Sequence, residues 1–260
     1  MTSTAGLIGH TGFVGSTLRA QTRFDDLFHS PDIAGIRGRR YELLVCAGAP
    51  AAKWKANQEP QADRANLDGL IEHLRHVRAE RFLLISTVDV YPRPLEVDEL
   101  TPIEPAAADA YGRHRYLLEE FVRERFPRAC VLRLPGLFGT GLRKNFIYDL
   151  LHDNCLHLTH RDSVFQFYDM SRLWQDAQAA LRAPAALVNF ATTPVAAGEV
   201  ARRSFGVEFA TITPKPPVRY DVRTRHAVLF GASGPYLYSA EETFQRIARY
   251  VAAFRAEQER

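Results

Sequence analysis

The sequence predicts an α/β fold built on a doubly wound parallel sheet. Three observations carry that prediction. Short apolar runs alternate with helical stretches through the first half of the chain, the order of a parallel sheet with crossover helices. The runs 41–50 and 81–91 are continuously apolar over most of their length, as strands covered on both faces tend to be. A glycine-rich turn, Gly9-His10-Thr11-Gly12-Phe13-Val14-Gly15, joins the first short run to the first helical stretch.

The elements follow in order. AGLI opens the chain as a short strand, and the turn leads into a helix. Residues 24–30, FDDLFHS, are a strand candidate, and 41–50, YELLVCAGAP, a buried one. Residues 59–79 read as a helix with Leu67, Leu70, Ile71, Leu74 and Val77 on one face. RFLLISTVDVY (81–91) is the next buried strand, and a proline-rich loop follows it. Residues 110–125 are helical, with Tyr111, Leu117, Leu118, Phe121 and Val122 toward one side. ACVLRLPGLFG (129–139) is a strand ending in a Pro-Gly turn. Beyond 140 the rhythm loosens until a last helix, started by a capping box of Ser239 and Glu242 and striped by Phe244, Ile247, Val251 and Phe254. That stripe reads as core.

Composition limits the classes of function. The 260 residues suffice for one large domain or a large domain with a small lobe. A formal net charge of +3, with Arg37-Gly38-Arg39-Arg40 as the longest basic run, does not describe a nucleic-acid binder. Cys46, Cys130 and Cys155 are few, odd in number and far apart, which excludes a disulfide framework and fits a reducing compartment. No stretch has the order of a signal peptide and no apolar run is long enough for a membrane span, so a cytoplasmic protein is expected.

The glycine turn has a plain physical use. Its first glycine permits the tight turn, its second lets a pyrophosphate approach the backbone, and its third lets helix and strand pack closely. The helix N-terminus then presents N–H groups and a partial positive charge to the phosphates. Gly9, Thr11, Gly12, Phe13, Val14 and Gly15 are thus candidates for binding a dinucleotide. Ser86 and Thr87 fall at the C-terminal end of a strand, where open α/β sheets place ligands. Tyr111 opens a helix, and a tyrosine there can serve as acid or base if a cation lowers its pKa from about 10.

With these stretches in their order, most of the chain resembles the extended short-chain dehydrogenase/reductases of the NAD-dependent epimerase/dehydratase family. GHTGFVG resembles the family's nucleotide turn, and CAGAP, with Ala47, Gly48 and Ala49, the stretch along the cofactor's adenosine side. Asn66-Leu-Asp-Gly69 resembles its Asn-x-x-Gly motif. ISTVDVY resembles its catalytic strand end, LRLPGLFGTG its segment near the nicotinamide, and RDSVFQFYDMSRL its segment before a later helix. The resemblance implies a Rossmann-type NAD(P)-binding domain over 1–140, joined by returning segments from about 162–195, with 141–260 mainly a small substrate lobe and the C-terminal helix. It implies hydride transfer at a hydroxyl or ketone of a nucleotide-sugar or related small molecule. Tyr111 is the acid/base, Thr87 binds the reacting oxygen, and Arg115 holds the ribose. Asn66, Ser86, Leu134 and Pro135 line the cofactor, while Asp89, Gly136 and Asn145 face the substrate. A homodimer paired through helices is also implied.

Two departures matter. Arg115 stands where the family's Tyr-x-x-x-Lys has lysine. Arginine keeps the charge but does not deprotonate. Val88-Asp89 stands where the family's dehydratases carry Asp-Glu, which favours epimerisation or ketone reduction. The alternative is a sensor or assembly protein that binds the nucleotide without turnover. For the nucleotide itself, His29 and Ser30 are placed at the second strand's end, with Asp32 beyond them, while Arg37, Arg39 and Arg40 suit a 2′-phosphate and favour NADP over NAD. His152, Cys155, His157 and His160 match no metal-site spacing, so no metal is expected. Trp54 and Trp174 are expected in packing or pocket walls, and Gly231-Ala-Ser-Gly-Pro235 is not a hydrolase elbow.

Overall fold

A computed structural model describes residues 4–258. The strands are β1 (Ala5–Ile8), β2 (Asp26–Phe28), β3 (Arg40–Cys46), β4 (Arg78–Thr87), β5 (Leu95–Val97), β6 (Ala129–Leu134), β7 (Gly136–Phe138), β8 (Val164–Phe165), β9 (Phe167–Asp169), β10 (Leu187–Asn189), β11 (Val195–Ala196) and β12 (Asp221–Val222). The helices are α1 (Phe13–Gln21), α2 (Lys53–Gln58), α3 (Pro60–Leu74), α4 (Ala110–Arg125), α5 (Phe146–His152), α6 (Leu173–Arg182), α7 (Ala197–Val200) and α8 (Ala240–Gln258).

Contacts divide the chain into two units. The first takes the residues up to Arg93, Glu99–Leu134 and Leu173–Asn189. The second takes Pro94–Asp98, Pro135–Arg172 and the residues from Phe190 on. The cut falls after Leu134, and the returning segment is α6 and β10, because those two elements join the sheet of the first unit.

That sheet has six parallel strands in the order β10-β6-β4-β3-β1-β2. The chain passes from β1 to β2 on one side and then to β3 on the other, so the direction of winding reverses between β1 and β3. Their C-terminal ends, Ile8 and Cys46, lie side by side in register. On one face Ile8, Leu44, Cys46, Phe82, Leu84 and Val131 pack with Leu67, Leu70 and Leu74 of α3 and Leu118 and Val122 of α4. Alternate strand residues, Leu7, Val45, Leu83 and Leu132, are buried as well. Both faces are therefore covered, which is why these strands read as unbroken apolar runs. The apolar run 41–50 leaves the sheet at Cys46, and the helix expected over 59–79 ends at Leu74 because β4 already begins at Arg78.

The second unit has no large sheet. Two two-stranded pairs, β7–β9 and β8–β11, take part in a phenylalanine-rich core of Phe138, Phe146, Phe167, Phe205 and Phe244, and β5–β12 forms a third pair. The Pro-Gly turn after β6 changes sheets, since Gly136–Phe138 pairs with Phe167–Asp169. Ser239 caps α8 by accepting the Glu242 N–H at 3.1 Å, while the Glu242 carboxylate turns to Arg246 at 2.8 Å. Phe244, Ile247 and Val251 are buried as expected of the stripe.

Candidate functional site

The glycine turn stands at the reversal of winding. Gly9 has φ 84°, and a Cβ there would overlap the Ala47 carbonyl. A Cβ at Gly15 would overlap the Gly9 carbonyl. These two glycines are required by the fold itself, through the close approach of the turn, α1 and the end of β3. Gly12 differs: it has φ −75°, open to any residue, and its nearest neighbour to an added Cβ is Gly9 O at an ordinary 3.5 Å. Inside the molecule nothing requires glycine at this exposed position. A dinucleotide pyrophosphate resting on the backbone would. No side chain caps α1 and no acidic residue lies in its first turn, so its N-terminal dipole is available to an anion. The turn therefore fits a dinucleotide, with Thr11, Phe13 and Val14 beside the glycines and Ala47, Gly48 and Ala49 at the adjoining edge.

At the end of β2, His29 and Ser30 stand as expected, and Asp32 folds back on them. The His29 N–H donates to Asp32 Oδ1 at 2.6 Å, and His29 Nδ1 lies 2.7 Å from Asp32 Oδ2. The backbone hydrogen bond from His29 holds the Asp32 carboxyl below its ordinary value. His10 completes a trio, with the ligand atoms of His10, His29 and Asp32 within 4.8 Å of one another. Burial and the nearby His29 and Arg19 push the His10 imidazole down. The arginines thought to suit a 2′-phosphate lie elsewhere. Arg40 is the first residue of β3, about 20 Å of strand from the ligand edge at Cys46. Arg39 donates to Asp26, and Arg37 to His73 in the last turn of α3. The stretch 31–39 crosses back to the opposite edge of the sheet, so the closeness of these arginines to β2 in sequence did not carry into space.

Thr87 and Tyr111 lie near one another at the C-terminal edge of β4. Thr87 ends that strand and accepts the Asp89 N–H at 3.1 Å. Asp109 caps α4 by accepting the Gly112 N–H at 2.9 Å, and Tyr111, in the first turn, lies near enough to Thr87 for that side chain to act on its phenol. A Cβ at Gly112 would overlap the Asp89 carbonyl, so the helix start is locked against the strand end. Burial pushes the Tyr111 phenol above its usual range, and Arg115 pulls against that shift. The resting group is a phenol, a proton donor.

Arg115 is 2% exposed and occupied. Its Nη1 and Nη2 donate to Asp63 at 2.5 and 2.8 Å, and Nη2 also donates to Pro50 O at 2.5 Å. Its Cζ lies 4.0 Å from the centre of the Tyr111 ring, stacked on the ring face. Only its Nε–H, buried, lacks a partner. His114 also turns to Asp63, at 2.8 Å. Burial would raise the Asp63 carboxyl, but the Arg115 and His114 contacts overcome it and hold the group below the usual range.

Several expected residues are engaged in other ways. Asn66 is on the exposed side of α3. Ser86 is buried and donates to Glu119 at 2.5 Å, inside a network in which Arg133 binds Glu119 at 2.6 Å and Tyr91 at 2.7 Å. Leu134 pairs in register with Thr87 at the ligand edge, and Pro135 follows it out of the unit. Gly136 begins β7 in the second unit. There too, Asn145, with φ 115°, caps α5 through Ile147 and Tyr148 and donates to Leu137 O at 2.7 Å. Trp54, expected in a wall, is 64% exposed.

The sequence reading missed Lys53, Asn57, Asp63, Asp109 and the Glu119–Arg133 pair. Asp63 had a signal: it continues the buried stripe Leu67, Leu70, Leu74 at helical spacing, and an acid on such a stripe needs a partner.

Comparison with known proteins agrees with this architecture. Among curated proteins no sequence matches. The fold is similar to dTDP-4-dehydrorhamnose reductase from Bacillus anthracis, solved with NADP, at 16% identity and TM-score 0.74 over 97% of this chain and 99% of that one. It is similar to the same enzyme from Yersinia enterocolitica at 13% identity and TM-score 0.74 over 97% and 100% of the two chains. A UDP-glucose 4-epimerase from Thermotoga maritima aligns at 16% identity and TM-score 0.70 over 98% and 99%. The model of the NAD dependent epimerase/dehydratase family matches residues 26–153, from β2 to just past α5, taking in Thr87, Tyr111 and Arg115.

Proposed function

We propose that the protein is an NAD(P)-dependent oxidoreductase or epimerase that transfers hydride at a hydroxyl or ketone of a nucleotide-sugar or related small molecule. The observation that carries this reading is the placement of Thr87 at the end of β4 with the start of α4, and so Tyr111, locked against that strand end, in the same unit as a glycine turn fitted to a dinucleotide. The bound nicotinamide supplies or accepts the hydride. Thr87 holds the substrate oxygen, and Tyr111 gives it a proton as the carbonyl becomes an alcohol, or takes that proton in the reverse direction. Buried Val88 occupies the place of a dehydratase acid, which argues for simple hydride transfer. Substrate recognition is assigned to the second unit. The nucleotide-sugar class is suggested by the reductases and the epimerase that share the fold.

With the arginine cluster at the far edge, the Asp32 carboxylate beside β2 makes NAD the better fit, since it repels a 2′-phosphate. The three free cysteines fit a cytoplasmic setting. A homodimer, implied by the resemblance, is read from the mass in solution.

The test is hydride exchange from NADH and NADPH across a panel of nucleotide-sugars, with Tyr111→Phe as control. Turnover should fall by about 10²–10⁴ in that variant while nucleotide affinity holds. Full turnover without the phenol would overturn the mechanism. One observation favours the second reading, a nucleotide-binding sensor: Arg115 is committed to Asp63, Pro50 and the Tyr111 ring rather than open to a ribose. Tight nucleotide binding with no exchange on any substrate would select it.

A further inference from the structure

The Tyr111 centre holds a second cation that the helix motif does not contain. Lys53 is the first residue of α2, and its Nζ lies 2.7 Å from Asp89 Oδ1 and 3.6 Å from Asp109 Oδ2. Asp89 is bound through its N–H to Thr87, and Asp109 caps the helix that carries Tyr111. One turn further along α2, Asn57 donates to Asp109 Oδ2 at 3.1 Å and accepts the Tyr111 N–H at 3.0 Å. Lys53 and Asn57, at i and i+4, thus hold one face of α2 against the start of α4. Both hydroxyl-bearing residues are braced by this clamp: Thr87 through Asp89, and Tyr111 through Asn57 and Asp109.

The two cations differ in what they can do. Arg115 shares its charge with a buried carboxylate and sits on the face of the Tyr111 ring. It does not give up a proton. Lys53 is an ammonium with 40% of its side chain open to solvent, so it exchanges protons with bulk water. Its partner Asp89 has 20% side-chain exposure.

We propose that Lys53, held by Asp89 and Asp109, is a positioning residue that balances the Asp89 charge beside Tyr111 and supplies a second positive charge there, next to that of Arg115. The proposal rests on the reading of Tyr111 as acid/base. Among the charges acting on the Tyr111 phenol Arg115 is the strongest and favours the phenolate, Asp89 opposes it, and Lys53 adds to the effect of Arg115. Removing Lys53 takes away a charge that favours the phenolate and leaves Tyr111 harder to ionise. Removing Asp89 does the reverse.

The experiment reads this in the coenzyme-free protein. A fluorinated tyrosine at position 111 titrates at lower pH than tyrosine itself, and fluorine NMR follows it. Lys53→Met should raise its titration midpoint by about one pH unit, Lys53→Arg should restore it, and Asp89→Asn should lower it. A merely structural clamp would not move the midpoint in opposite directions from its two ends. A midpoint that Lys53→Met leaves within about 0.2 units of the parent overturns the proposal. So does a shift of the same sign in both variants. The turnover of Tyr111→Phe tests the underlying reading separately: if it persists, the acid/base role falls whatever Lys53 does.

Discussion

Replacing Asp63 by asparagine tests the central electrostatic claim. The Asp63 and Arg115 side chains are 5% and 3% exposed, so the pair is sealed from water. Asparagine keeps the shape and one acceptor but removes the charge. Arg115 is then a buried cation whose remaining partners, Pro50 O and Tyr111 O, are neutral. Losing one partner of such a pair costs about 3–5 kcal/mol. For a protein of this size that is a fall in Tm of about 6–20 °C, measured by calorimetry and far-ultraviolet circular dichroism. The double replacement Asp63→Leu with Arg115→Met should recover much of the loss, because no buried charge is left unpaired. The pH dependence has a fixed sign. The folded Asp63 carboxyl lies below its unfolded value of 3.8, so its contribution is full above that pH and is lost as pH falls through the folded value. The Tm gap between parent and variant should therefore shrink in acid below about pH 4. A drop under about 3 °C near neutrality would refute the sealed pair.

Gly12→Ala should fold with unchanged Tm and bind NADH at least about tenfold more weakly, whereas Gly9→Ala should lose several kcal/mol of stability through its overlap with Ala47 and its positive φ. Equal effects on Tm would remove the argument that Gly12 is kept for a ligand. Burial pushes the Cys46 thiol up to about 11 and the Cys130 thiol up to about 12, while Cys155 is exposed. A thiol-specific reagent at mildly alkaline pH should modify Cys155 alone in the native protein and all three cysteines after unfolding, and rapid native labelling of Cys46 or Cys130 would contradict the packing of β3 and β6.

What the sequence disclosed and what it hid have one physical division. Features with a local cause were legible. The glycine turn, the unbroken strands and the helix from Ala110 to Arg125 each depend on periodicity or on backbone freedom within a few residues. Features decided by the path of a loop were not. Arg40 follows β2 closely in sequence, yet the chain between them returns to the far edge, and a whole strand separates it from the site. Residues joined only by the fold were also invisible. Arg115 and Asp63 are 52 positions apart, and Lys53 and Asp89 are 36. Asn145, placed toward the substrate by the family resemblance, caps α5 through its carboxamide, a role no local pattern announced.

The same geometry says why restoring the family's lysine should not restore a family-like centre. In Arg115→Lys the ammonium would meet the Asp63 carboxylate first, since that charge is buried, fixed and already turned toward position 115. Lysine has no planar fork, so it cannot bind Asp63 with two nitrogens and reach Pro50 O at once. The variant should lose about 1–3 kcal/mol of stability from the unmade hydrogen bonds, seen as a lower Tm, and gain little in nucleotide affinity or turnover. Only when Asp63 is also neutralised should a lysine at 115 be released toward Tyr111. The comparison of Arg115→Lys with Arg115→Lys/Asp63→Asn, by turnover and by the Tyr111 midpoint, therefore separates two accounts of the arginine. If the single change already raises turnover tenfold or more, arginine was a defect in an otherwise ordinary site. If it does not, Asp63 and Arg115 are a structural pair, and the arginine serves Tyr111 from that fixed place.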